Sequence, residues 1–155
     1  MFRISRRLDY GLQLMIALAS EAEGRPQATA VLAEKLQIPL PFMHQIGHTL
    51  MQAGLIKASP GPRGGLRLNK SAEEITALQV LEVLEGPVCL NPCLDCVESC
   101  PRQGNCASQF MWADLQEKIV AYLSGIRLSA LVEQAQDMPL YDFSLADGTL
   151  QKVLN

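Results

Sequence analysis

Leu8, Leu12, Met15, Ile16 and Ala19 recur every three or four positions, which predicts an amphipathic helix over 5–20 with that stripe turned inward. Gly24 and Pro26 interrupt the pattern, so 21–27 reads as a loop. A shorter period follows from Thr29 to Leu36, with Leu32, Ala33 and Leu36 inward and Thr29 as the expected N-cap. The chain turns through Gln37-Ile38-Pro39-Leu40 and enters a third helix near Pro41, a residue tolerated in a first turn because its missing N–H has no partner there. Met43, Ile46 and Leu50 form the inner face of that helix, which Ala53-Gly54 ends. Two short helices joined by a tight turn, the second closed by glycine, make a helix-turn-helix pattern.

Beyond Gly54, residues 55–59 and 66–69 read as two short strands joined by Pro60-Gly61-Pro62-Arg63-Gly64-Gly65, a hairpin of the kind called a wing. Residues 75–85 form a further helix (Leu78, Val80, Leu81, Leu84) stopped by Gly86-Pro87. No period is visible from Val88 to Cys106. The longest helix then runs over 107–124, with Met111, Leu115, Ile119, Tyr122 and Ile126 on one stripe, and 129–136 adds a short one. The expected class is mainly α with a small β wing. It divides into a winged helix-turn-helix over 1–86, a cysteine-rich loop over 87–106, a long-helix region over 107–136 and an unassigned tail over 137–155.

Charge changes this picture. The 155 residues carry a net charge of −3, yet residues 1–70 hold nine Lys or Arg against four acids, a net +5, and the remainder four against twelve, a net −8. A basic module ahead of an acidic one points to a polyanion, here double-stranded DNA. The residues of the third helix that face outward are His44, Gln45, His48, Thr49 and Gln52, side chains able to pair with base edges. That helix has no Lys or Arg, so phosphate and groove contacts fall to Arg3, Arg6, Arg7, Lys57, Arg63 and Arg67. Gly64-Gly65 would let the wing backbone approach a groove, with Arg63 at its tip. No apolar run approaches the roughly 18 residues that span a bilayer, and the short run over 14–19 ends in acids. A cytoplasmic protein with no membrane partner and no signal peptide is expected. Neither a nucleophile–base pair nor a phosphate loop suggests an enzyme.

The aperiodic stretch holds all five cysteines, spaced Cys89-x3-Cys93-x2-Cys96-x3-Cys100-Pro101-x4-Cys106. In a reducing compartment such a cluster points to a soft metal rather than disulfides. The segment from Cys93 to Pro101 resembles the end of a bacterial ferredoxin run, although Cys89 stands one residue too far away. An iron–sulfur cluster, structural zinc and a metal-free thiol switch all use these residue types. A ferredoxin-like electron carrier is the rival from another class, and the basic half and glycine-rich wing weigh against it.

Several stretches together resemble the iron–sulfur winged-helix regulators of the IscR, NsrR and RirA type, the BadM/Rrf family. They are Ile4-Ser5…Asp9-Tyr10-Gly11-Leu12, the run from Leu32 to Ile38, Gly54-Leu55-Ile56, the wing from Gly61 to Leu68, and Trp112 six residues past Cys106. The resemblance covers residues 1–135. It implies a homodimer paired through the long helix, reading a near-palindrome whose half-sites are separated by whole helical turns. It further implies regulation by redox, iron or nitric oxide status through a cluster, [4Fe-4S] being favoured over [2Fe-2S]. The family's three loop cysteines correspond to Cys93, Cys100 and Cys106. Its fourth ligand varies: the His used in one branch is Gln109 here, whereas the Asp that another branch takes from the partner subunit matches Asp9. Cys89 and Cys96 depart from the family pattern, and either could replace Asp9.

Overall fold

A computed structural model describes residues 3–21, 24–61, 64–95 and 106–137. Seven helices and one hairpin appear among them: α1 (Arg6–Ala19), α2 (Thr29–Lys35), α3 (Leu40–Gln52), β1 (Ile56–Ser59), β2 (Gly65–Leu68), α4 (Ala77–Glu85), α5 (Pro92–Asp95), α6 (Ala107–Gly125) and α7 (Leu128–Asp137). The architecture is mainly helical with a small antiparallel wing, as the apolar periods predict.

Helix α1 begins where the Ser5 side chain accepts from Leu8 N at 3.0 Å. The same hydroxyl donates to Glu85 Oε1 at 2.7 Å, fastening the start of α1 to the end of α4. The buried arc of α1 differs from the predicted stripe. Leu8, Gly11, Leu14, Met15, Ala17 and Leu18 are buried, while Leu12, Ile16 and Ala19 are only half-buried. The cause is enclosure: α1 touches α3, α4, α7 and β2, so more of its circumference is covered than a single stripe suggests. Gly11 leaves room for α4, because a Cβ there would lie 2.2 Å from Leu84 Cδ1.

Thr29 is not the N-cap of α2. Ala28 occupies that position without a side-chain cap, and Thr29 is the first helical residue. The turn between α2 and α3 places Gln37 at φ 53° and sends Ile38 N back to Ala33 O at 2.9 Å. Met43, Ile46 and Leu50 of α3 are buried against α1 and α2 as predicted. Strands β1 and β2 pair Ile56 with Leu68, Lys57 with Arg67, Ala58 with Leu66 and Ser59 with Gly65. Gln27 adds a further rung on the other edge of β2 through reciprocal backbone bonds with Leu66 at 2.8 and 2.9 Å. This rung explains Gly65, whose Cβ would stand 2.1 Å from Gln27 O. A Cβ on Gly64 would stand 2.2 Å from Ser59 O. Both glycines are therefore required by the wing's own backbone, before any groove is considered.

Helix α4 starts with a capping box: Thr76 Oγ1 accepts from Gln79 N at 3.2 Å and Gln79 Oε1 from Thr76 N at 3.0 Å. Helix α6 packs on α4 and α5, and none of its side chains is fully buried within the chain. After α6 the chain returns. Ala77 N donates to Ile126 O and Leu128 N to Ile75 O, both at 2.9 Å, and Leu128 joins the core beside α1. Leu128 and Leu131 of α7 thus share a core with the first 86 residues. The tail beyond 137 lies outside the described residues, as do Arg63, Cys96 and Cys100.

Candidate functional site

Two groups of side chains carry chemistry. The first lies on α3, the wing and the start of α1. His44, Gln45, His48 and Gln52 are exposed, and Thr49 is partly covered. A cleft of about 190 Å³ separates α3 from the wing, lined by Thr29, His44, His48, Met51, Ala58 and Leu66.

The cations are distributed unequally. Lys57 and Arg67 face each other across the hairpin, and Arg67 Nε donates to Ser59 Oγ at 3.0 Å. Like charges directly opposite each other on a sheet oppose folding, so the pair makes sense where a polyanion offsets it. Arg6 is exposed on the first turn of α1. Arg3 lines a different cleft of about 270 Å³, together with Leu8, Glu85 and Cys89. Arg7 is half-buried and directed into the protein: its Nη2 donates to Thr49 Oγ1 at 3.1 Å, and its Nε is buried without a partner among the described residues. Charge alone places Arg7 with the phosphate and groove contacts. A contact between residues 42 positions apart has no local signature.

The second group is the cysteine segment, laid along α6. Gln116 Oε1 accepts from Leu90 N at 3.0 Å, and Gln109 Nε2 donates to Cys93 O at 3.4 Å. Cys106 occupies the N-cap of α6, and its Sγ lies 3.1 Å from Ser108 Oγ. Cys93 is thus tied to the first turn of α6, three residues past Cys106. Cys89 precedes the residue tied to Gln116, seven residues and so roughly 10 Å further along the helix; its thiol donates to Asn91 O at 3.2 Å. Short helix α5, which carries Cys93, was not anticipated in the aperiodic stretch; Asn91 Oδ1 accepts from Cys93 N at 3.4 Å at its start.

Thiolate chemistry suits a soft metal or cluster, and Cys106 stands at the helix end where the macrodipole favours an anion. Among the described residues no three His, Cys, Asp or Glu side chains come together as a metal site; Cys100, the expected third thiol, lies outside them. Asp9 is exposed in the first turn of α1 and accepts from Gln13 Nε2 at 3.0 Å. Among the described residues no helix is long and apolar enough to cross a membrane.

Residues 4–134 match the family described as Rrf2, iron-dependent transcriptional regulator. The HTH-type transcriptional regulator IscR of Aliivibrio salmonicida (strain LFI1238) is 30% identical over 94% of this chain and 89% of its own. Its namesake from Pectobacterium carotovorum subsp. carotovorum (strain PC1) is 28% identical over 99% of this chain and 96% of its own. Among solved structures, CymR (YrzC), the global cysteine regulator of B. subtilis, aligns with a TM-score of 0.72 at 27% identity, covering 86% of this chain and 98% of that one. The T. potens IscR structure aligns at 0.73 and 24% identity over 89% and 93%, a likeness of fold.

Proposed function

The chain belongs to the Rrf2 family of transcriptional regulators, and on that premise we propose that it acts in the cytoplasm as a homodimer that reads double-stranded DNA through α3 and the wing, and senses redox, iron or nitric oxide status through an iron–sulfur cluster. Cys93, Cys100 and Cys106 would hold the cluster, with Asp9 of the partner subunit, Cys89 or Cys96 as the fourth ligand. The observation that carries this assignment is the bond from Gln109 to the Cys93 carbonyl, which gathers Cys93 and Cys106 at one end of α6. When bound, the cluster would supply a redox-active centre whose presence depends on iron supply.

The protein's own residues do the rest. Cys106 offers its sulfur at the positive end of a 19-residue helix. Gln116 holds the loop to α6 through Leu90 N, and α6 leads through Ile126 and Leu128 into the backbone at the start of α4. A change in the thiol loop therefore bears on elements packed against α1 and α3. Such a change alters DNA affinity to the extent that the ligand favours one arrangement over the other. Lys57, Arg67, Arg6 and Arg63 meet phosphates or a groove, while His44, Gln45, His48 and Thr49 face base edges. Dimerisation through α6 is supported by Met111 and Tyr122, which lie on one stripe of that helix and stand 53% and 70% exposed in the single chain.

The test is anaerobic purification from iron-replete cells, with an absorption spectrum and counts of iron, acid-labile sulfide and zinc. Brown protein is expected, with colour lost on Cys93→Ala, Cys100→Ala or Cys106→Ala and retained with Cys89→Ala or Cys96→Ala. Colourless protein with stoichiometric zinc would overturn the cluster reading. A thiol switch is the second reading, favoured by the polar setting of Cys106 beside Ser108. Colourless, metal-free protein whose DNA affinity changes on mild oxidation would select it.

A further inference from the structure

The contact between Arg7 and Thr49 carries an inference that rests on α3 being the DNA-reading helix and deepens that reading. A threonine hydroxyl offers one proton and two lone pairs. Arg7 Nη2 stands 3.1 Å from Thr49 Oγ1, and a guanidinium nitrogen only donates, so one lone pair is occupied. The Gln45 carbonyl, one turn back, stands 3.1 Å from the same oxygen, and a carbonyl only accepts, so the proton is committed as well. One lone pair is left. It belongs to a partly exposed side chain in the row Gln45, Thr49, Gln52, whose other two members are exposed.

We propose that Thr49 is an acceptor-only reader of the major groove, selecting a base with an exocyclic amino group, adenine or cytosine, on the strand it faces. A free hydroxyl rotates and serves as donor or acceptor, and therefore discriminates poorly. This one cannot donate to guanine O6 or N7, or to thymine O4, without giving up the Gln45 carbonyl. Arg7 is then a positioning residue. Its guanidinium is held inside the protein, with Nε buried and unpaired among the described residues, so it acts on DNA through Thr49. The class of contact follows from atom types alone: both neighbours of Oγ1 have a single hydrogen-bonding role.

The experiment selects bound duplexes from a randomised library with the full-length protein, and compares the wild type with Thr49→Val, Thr49→Ser, Arg7→Met and Gln45→Ala. The wild type should show one position per half-site at which adenine and cytosine together exceed guanine and thymine by about fivefold to tenfold. Thr49→Val, which keeps the shape and removes the oxygen, should flatten that position alone, and Thr49→Ser should restore it. Arg7→Met leaves the proton on the Gln45 carbonyl but no longer holds Oγ1 in place, so the preference at that position should weaken while the other positions persist. If Gln45→Ala alters the selected sequence and Thr49→Val does not, or if the Thr49 position takes guanine or thymine in the wild type, the proposal fails alone. If no α3 variant alters any position, α3 is not the reading helix and the broader reading fails with it.

Discussion

Gln37 and Gly54 hold the same place in two successive helix endings. Each has a positive φ, 53° and 71°, and each precedes a buried residue whose N–H reaches back into its helix: Ile38 to Ala33 O at 2.9 Å, Leu55 to Leu50 O at 3.0 Å. Both are Schellman endings, and only the second has the glycine such an ending favours. A side chain in the left-handed region costs roughly 1–2 kcal/mol, partly offset by the extra entropy glycine loses on folding. Gln37→Gly should therefore raise stability by about 0.5–1 kcal/mol, and Gly54→Ala should lower it by about 1 kcal/mol. Open space around Gly54 assigns that loss to the backbone rather than to a clash. Urea unfolding of the three proteins checks both signs; coincident midpoints would show that neither ending is strained.

Lys57 and Arg67 should show opposite effects on the free and the DNA-bound protein. Directly opposed cations cost a few tenths of a kcal/mol in the hairpin. Lys57→Gln should leave thermal stability equal or slightly higher, while weakening binding to specific and random duplexes alike. It should reduce the slope of log affinity against log salt by about one. A lost preference at a single base pair with an unchanged slope would make Lys57 a base reader instead.

The exposed stripe on α6 predicts a dimer that can be dismantled without unfolding. No α6 side chain is fully buried within the chain, so Met111→Asp or Tyr122→Asp removes little from the core. Sedimentation should show a shift from dimer to monomer, with an unchanged far-ultraviolet spectrum and a large loss of affinity for a two-half-site duplex. A variant that stays dimeric would move the interface off this stripe.

Asp9 is suited to contribute outside its own chain, because its carboxylate is exposed and, among the described residues, accepts from Gln13 on the next turn. Asp9→Ala should leave folding and dimerisation intact but alter the visible spectrum and hasten bleaching by oxygen or nitric oxide. It should also narrow the difference in DNA affinity between cluster-loaded and cluster-free protein. Since Arg7 and Thr49 connect the same helix to α3, the narrowing should be retained in Thr49→Ser. Unchanged spectrum, bleaching and DNA response would give the fourth ligand to Cys89 or Cys96.

Local chemistry makes much of this protein legible in its sequence. A helix of 13 residues with Met43, Ile46 and Leu50 on one side, ended at Gly54, depends on a period and a turn conformation that neighbouring residues specify. So does the wing, whose glycines the backbone demands. The cysteine spacing announces soft-metal or thiol chemistry, because few other uses gather five thiols in eighteen residues. Tertiary structure decided what depends on distant partners. The arc of α1 that is buried follows from helices on several sides of it, and Leu128 of α7 returns to the core built by the first 86 residues. Cys93 lies nearer to Cys106 along α6 than Cys89 does because Gln109 and Gln116 fix the loop at two points on that helix. The hydroxyl of Thr49 has its fixed role because Arg7, 42 residues earlier in the chain, donates to it while the Gln45 carbonyl takes its proton. A periodic pattern records which face a residue turns, whereas the role of a polar atom depends on which partners folding brings to it.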